Sequence, residues 1–377
     1  YQTPCMDDAA MLPSDFEKRG ELSPVCSRIV LKALYLARLA RPDLLWAVNS
    51  LAREVTKWNV ACDRRLERLM GYIKLTRNQT IKAHIGDNFE DCRLVCFTDA
   101  SWADSKPDSK STSGGLLAIM GPNTYVPLSW MCKKQDAVSH SSTESEVIAL
   151  DLNLRNEALP CLNLWADVLA TMRPKDGVFR SSNTRMEVPT MGYGPPMRMF
   201  RFVNDFLSSI DYVLPTVGKP DDRANLVILE DNNAVVHQCN KGRSNKMRHV
   251  ARTHNISLDG TYDLLLKDPS ILIKHCPTEV EIADIFTKGS FKIETFRLLM
   301  NMINISDSRA PSMQVSGVDA IATSDDIDGA MLEVDEPHSI PNPTTKPATS
   351  VSFKKYGNSN PSILDKAKQF VKPLAEK

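Results

Sequence analysis

Four carboxylates stand in local frames that could do metal chemistry. Asp99 sits in Val95-Cys96-Phe97-Thr98-Asp99-Ala100-Ser101 and Asp231 follows Leu226-Val227-Ile228-Leu229-Glu230. Glu146 lies in Ser142-Thr143-Glu144-Ser145-Glu146-Val147-Ile148-Ala149-Leu150, and Asp284 in Ile282-Ala283-Asp284-Ile285-Phe286. Two follow apolar runs that read as strands; two sit in helix-like patterns. A carboxylate at a strand's end is held on a rigid element, as a metal ligand must be. Acidic side chains that converge repel one another unless a cation lies between them. The pattern points to divalent-metal phosphoryl transfer, the chemistry of a nuclease.

Those frames need elements to hold them. Residues 1–22 read as a polar, irregular linker. From Val25 to Lys74 leucines and isoleucines recur at helical spacing around Arg41-Pro42-Asp43, which predicts a three-helix unit. From Arg93 the period changes. Arg93–Asp99, Gly114–Met120 and Tyr125–Cys132 read as three strands, the last two joined at Gly121-Pro122-Asn123. A helix is expected from Ser142 or Thr143, with Glu144 and Glu146 in its first turn, and Pro160 should kink or end it. Then come a strand over Leu226–Leu229, a short helix, an amphipathic stretch over Val250–Lys267, a strand over Ile271–Cys276 and a helix over Glu279–Met302. The order is βββ-α-β-α-α-β-α, an α/β class with a mixed sheet. Residues 171–224 lack a sustained period and read as an insertion; residues 304–377 have the composition of a disordered tail.

The bulk numbers exclude several classes. Lys and Arg total 46, as do Asp and Glu, so any nucleic-acid surface must be local. Nine dispersed cysteines with no paired CxxC fit reduced thiols rather than disulfides or a zinc site. Cys92 and Cys96 read as strand-edge thiols. No apolar run approaches the ~20 residues of a membrane span. A chain opening on Tyr1 is expected to be a piece of a longer one.

At this point the residues resemble one family. Tyr35-Leu36-Ala37, Arg41-Pro42-Asp43 and Ala47-Val48-Asn49 come first, then Phe97-Thr98-Asp99-Ala100-Ser101-Trp102-Ala103 and Lys110-Ser111-Thr112-Ser113-Gly114-Gly115. Ser129-Trp130 with Lys133-Lys134-Gln135 and Ser141-Ser142-Thr143-Glu144-Ser145-Glu146 follow. Last are Asp231-Asn232 with Ala234, Arg248-His249 with Arg252 and His254, and Pro277-Thr278-Glu279 with Ala283-Asp284-Ile285-Phe286-Thr287-Lys288. In this order they resemble the end of a Copia-type LTR retrotransposon Pol polyprotein. The resemblance implies the helical end of reverse transcriptase over 23–85 and a ribonuclease H-like domain over 90–303.

What the resemblance implies is specific. Asp99, Glu146, Asp231 and Asp284 would be the catalytic metal ligands, holding two Mg²⁺ ions (or Mn²⁺) about 4 Å apart against the scissile phosphate. Glu146 is preferred to Glu144 because Glu146-Val147-Ile148-Ala149 matches the family pattern. The substrate would be an RNA–DNA hybrid, told from other duplexes by its minor groove and 2′-hydroxyls. Lys133, Lys134 and Asn232 would contact it; Lys133-Lys134 taken alone reads as a solvated strand end. The partner would be the upstream polymerase domain of reverse transcriptase, with no membrane. The setting would be intracellular: cytoplasm, virus-like particle or nucleus. Asp7-Asp8 after Met6 is not read as a polymerase hairpin, since no apolar strand follows. His249 and His254, five apart, are expected on a helix surface rather than on a metal. Ala251 between them and the insertion depart from the family pattern, so a catalytically dead, nucleic-acid-binding remnant is the second reading. An integrase on a similar fold fits less well, lacking a zinc-binding His/Cys module.

Overall fold

A computed structural model describes residues 1–104, 108–172, 225–242 and 247–307. The chain divides into units Tyr1–Met313 and Gln314–Lys377, and all the described residues belong to the first. The expected insertion and tail lie outside the described residues, apart from their first few positions.

Five strands form a mixed sheet in the order β4-β3-β2-β5-β6, where β2 is Arg93–Ser101, β3 Thr112–Gly121, β4 Thr124–Lys134, β5 Leu226–Glu230 and β6 Ile271–His275. β2, β3 and β4 run antiparallel through hairpins, whereas β5 and β6 run parallel to β2. Every position of β2 except the last is buried, and all of β5 is. Strands covered on both faces read as unbroken apolar runs, and these two do.

The two faces carry different layers. Leu94, Cys96, Leu117, Ile228 and Ile273 share one core with Val147 and Leu150 from α5 (Ser142–Asn153), Leu154 just after it and Val235 from α7 (Asn233–Lys241). Cys92 and Cys96 belong to that core, so they are not edge thiols: β2 is the central strand. Pro160 does not end the helix. A π-turn over Leu154–Ala158 shifts the hydrogen-bond ladder just ahead of it, and α6 runs over Leu159–Met172. The amphipathic stretch is broken into α8 (Val250–Thr253) and α9 (Leu258–Lys267), with Asn255 left-handed between them. The helix expected over Glu279–Met302 is likewise two: α10 (Asp284–Thr287) and α11 (Ile293–Met302).

The opposite face takes α10 and the helical unit. That unit consists of α2 (Cys26–Leu39), α3 (Leu45–Arg53) and α4 (Val60–Leu75), pinned at its corner by buried Arg41 and Asp43, 2.7 Å apart, with the Tyr72 hydroxyl donating to Asp43. Residues 1–22 are not all linker, since α1 (Pro13–Glu17) packs against α4 and Asp15 pairs with Arg64 at 2.7 Å. Three side-chain donors tie the helical unit to the sheet layer: Trp130 Nε1 to Ala37 O at 2.9 Å, Asn49 Nδ2 to Cys132 O at 2.7 Å and Trp46 Nε1 to Thr287 O at 3.1 Å. Strand β1 (Gln79–Ile81) pairs with β7 (Ile305–Asp307), so the fold extends into the stretch expected to be tail.

Gly114, opposite Asp99 in the β2–β3 register, lets α10 lie directly on the sheet. A Cβ there would meet Thr287 Cγ2 at 2.5 Å and the Ala283 carbonyl at 3.0 Å. Gly114→Ala should therefore cost about 1–3 kcal/mol, the usual penalty of overpacking, read as a lower urea midpoint at unchanged slope.

Candidate metal centre

Asp99 is the third-last residue of β2, and Asp231 directly follows β5, the parallel neighbour of β2. Both carboxylates thus project from the same end of adjacent strands. Helix α5 starts beside that end, capped by the Ser141 hydroxyl accepting from Glu144 N, and carries Glu146. Oxygens of Asp99, Glu146 and Asp231 lie within 4.8 Å of one another, the one group of that kind among the described residues. Asp99 and Glu146 are buried, and Glu146 Oε2 has no hydrogen-bond partner.

Asp284 opens α10 facing Asp99 and Asp231, but its Oδ1 is paired with Lys288 Nζ one helical turn on. Thr287, from the same turn, donates its hydroxyl to Asp99 Oδ2. Two further carboxylates, unread in the sequence, lie beneath. Glu230 is fully buried and accepts from Thr98 Oγ1 at 2.8 Å. Glu281 is fully buried, accepts from Ala283 N at 3.0 Å, and leaves Oε2 without a partner. The available signal was an acid near a recognised one, because Glu230 ends β5 just before Asp231 and Glu281 precedes Asp284 by three.

Crowding and burial favour protonation. Burial pushes Asp99 up to about 7, with the charges of Asp284 and Asp231 adding to it against the opposing pull of Lys288. Burial, then the charges of Glu230, Asp99 and Asp231, pushes Glu146 up to about 11. Glu230 and Glu281 are raised for the same reasons, burial foremost. Lys288 loses some basicity to burial but regains more from Asp99 and Asp284. A cluster of buried acids whose charges oppose one another is suited to take a cation. The donors are all oxygens, which fits Mg²⁺ or Mn²⁺.

Glu144 and Glu146 are two residues apart, about 200° around a helix, so they face opposite ways. Glu146 turns to the cluster. Glu144 turns to α8, where His254 Nε2 lies 3.1 Å from Oε1 and His249 Nε2 lies 3.2 Å from Oε2, while His140 N donates to Oε2 at 3.0 Å. The His254 side chain is 4 % exposed, so it is no surface histidine; it is packed against a buried carboxylate. Of the residues expected to touch substrate, Asn232 caps α7 by accepting from Ala234 N at 3.0 Å. Lys134, at the end of β4, pairs with Asp108 at 2.7 Å, and Lys133 beside it is exposed.

The chain is similar to several known proteins, among them secreted RxLR effector protein 161 of Plasmopara viticola, 32 % identical over 117 residues that make up 31 % of this chain and 78 % of that protein. The chain is 32 % identical over 123 residues to the retrovirus-related Pol polyprotein from transposon RE1 of Arabidopsis thaliana and 34 % over 140 residues to that from transposon RE2. These two matches are consistent with the resemblance to a Copia-type retrotransposon Pol polyprotein. The chain is also 31 % identical over 140 residues to the uncharacterized mitochondrial protein AtMg00810 of the same plant. These three matches take in 33 %, 36 % and 37 % of this chain, and 8 %, 8 % and 51 % of the three proteins, so the chain spans about half of one and a small part of the others. No family model matches the chain, and no solved structure does. Among the described residues no helix is long and apolar enough to cross a membrane.

Proposed function

We propose that the chain is the C-terminal end of a retrotransposon reverse transcriptase with its ribonuclease H-like domain, a metal-dependent endonuclease that cuts the RNA strand of RNA–DNA hybrids. The observation that carries the reading is the convergence of Asp99, Glu146 and Asp231 at one end of β2, β5 and α5, with Asp284 alongside. The mixed five-strand order with its two parallel neighbours supports the same fold. The domain division follows, with the helical end of reverse transcriptase over 23–85 and the nuclease over 90–303.

Asp99, Glu146, Asp231 and Asp284 would hold Mg²⁺ or Mn²⁺. When bound, the metal polarises the phosphoryl oxygens and lowers the pKa of water. Asp99 and Glu146 must give up their protons to become ligands, and the Thr287 hydroxyl holds Asp99 in place as they do. Exposed Lys133 would contact a backbone phosphate rather than read a base.

The test is cleavage of a hybrid carrying labelled RNA, with Mg²⁺, beside Asp231→Asn. The expected result is cutting of the RNA strand alone, lost in the variant. A folded wild type that leaves the RNA intact would support the second reading, a nucleic-acid-binding remnant. The pairing of Asp284 with Lys288 is the feature that favours that alternative.

A further inference from the structure

We infer that Trp102 is the residue by which the site tells an RNA–DNA hybrid from a DNA duplex, its indole lying against the sugars of the wide minor groove. The inference rests on the nuclease reading above and deepens it. Of the five tryptophans Trp102 alone is exposed, at 53 %. A single exposed apolar side chain needs no explanation, but one held in place by buried polar groups does. Trp102 directly follows β2, three residues beyond Asp99, and its Nε1 donates to the Ser139 carbonyl at 3.2 Å. Ser139 is buried and donates its hydroxyl to Gln135 Oε1 at 2.9 Å. Gln135, buried as well, donates from Nε2 to Ser113 Oγ at 3.0 Å and to the carbonyl of Ser145, the residue before Glu146, at 2.9 Å. On the other side Ala103 is left-handed, with φ 51°, and donates its N–H to the buried Ser111 hydroxyl at 3.0 Å. The indole is thus fixed at the rim of the acid cluster through the same amide that bonds the turn carrying Glu146. Its one donor is spent on Ser139, so the exposed part offers a flat, uncharged apolar face. Such a face suits sugars and bases rather than phosphates. The minor groove of an A-form hybrid is wide and shallow, whereas that of B-DNA is only about 6 Å wide. The indole can lie in the first and is kept out of the second.

Fluorescence anisotropy of an end-labelled duplex tests this on the full chain carrying Asp231→Asn, with Mg²⁺, so that binding is read apart from cutting. Adding Trp102→Ala should weaken hybrid binding by about tenfold, within the range for losing one aromatic stacking partner, and leave a DNA duplex of the same sequence nearly unchanged. Trp102→Phe keeps a ring but loses the bond to Ser139, and should fall between. If Trp102→Ala does not fold, Trp102→Leu makes the same comparison. With Asp231 intact, Trp102→Ala should raise KM for the hybrid and change kcat little. Hybrid affinity unmoved by Trp102→Ala, or an equal loss on both duplexes, would overturn the inference and leave the nuclease reading standing. No hybrid binding by the folded Asp231→Asn protein would overturn that reading as well.

Discussion

Asp99→Asn should silence cleavage and strengthen the ion-free fold at the same time. Asparagine keeps the shape but removes the central anionic ligand, so hybrid cleavage should fall by on the order of 10²–10³-fold or more, the loss typical of removing one preorganised charge-stabilising group. The stability gain follows from the same burial. The Asp99 carboxyl titrates near 7 in the fold and near ~3.9 in an unfolded chain. Between these values the folded state binds more protons, so stability is fully present below ~4 and is lost as pH rises towards 7. Three units correspond to roughly 4 kcal/mol. Urea titrations in a chelator at pH 5 and pH 8 should show both proteins weakening with pH, because Glu146, Glu230 and Glu281 are also raised, and Asp99→Asn weakening less than wild type by the Asp99 share. Adding Mg²⁺ should restore wild type at pH 8 and leave the variant unmoved. A wild type equally stable at both pH values would refute the crowding.

His254→Ala should be among the most damaging substitutions away from the cluster. Its imidazole is the buried neighbour of Glu144, whose side chain is 2 % exposed. Removing it leaves a buried carboxylate with a backbone donor and the more exposed His249, a loss of roughly 3 kcal/mol. Thermal unfolding should fall accordingly, and Glu144→Gln should cost less than Glu144→Ala because the amide can still bond the histidines. Glu144→Gln should leave Mn²⁺ uptake intact, whereas Glu146→Gln should weaken it. The reverse pattern would exchange the roles of the two glutamates.

Local signals carried much of the sheet. β2 and β5 are unbroken apolar runs, and the β3–β4 hairpin is marked by Gly121-Pro122-Asn123, so these strands are legible within a residue or two. Helix breaks were less so. The π-turn before Pro160 and the left-handed Asn255 are decided by tertiary packing, which overrides periodicity over a few residues. The frames around Asp99, Glu146 and Asp231 could be read because each sits on a strand end or helix start. The fate of Glu144 could not, since its partner His254 is 110 residues away. Lys288 was visible only as part of a family string. Its bond to Asp284 is an ordinary i,i+4 pair whose consequence depends on what lies across from it.

The Trp46 indole donates to the Thr287 carbonyl and lies against Gly289, where any Cβ would overlap it. Asp284, Thr287 and Lys288 thus rest on a helix that lies some 240 positions earlier. Excising the first 85 residues to isolate the sheet would strip the backing from the turn that carries Asp284. A graft of foreign helices onto this sheet would need a residue shaped like Trp46 to seat Gly289, so the helical piece and the sheet must match as a pair.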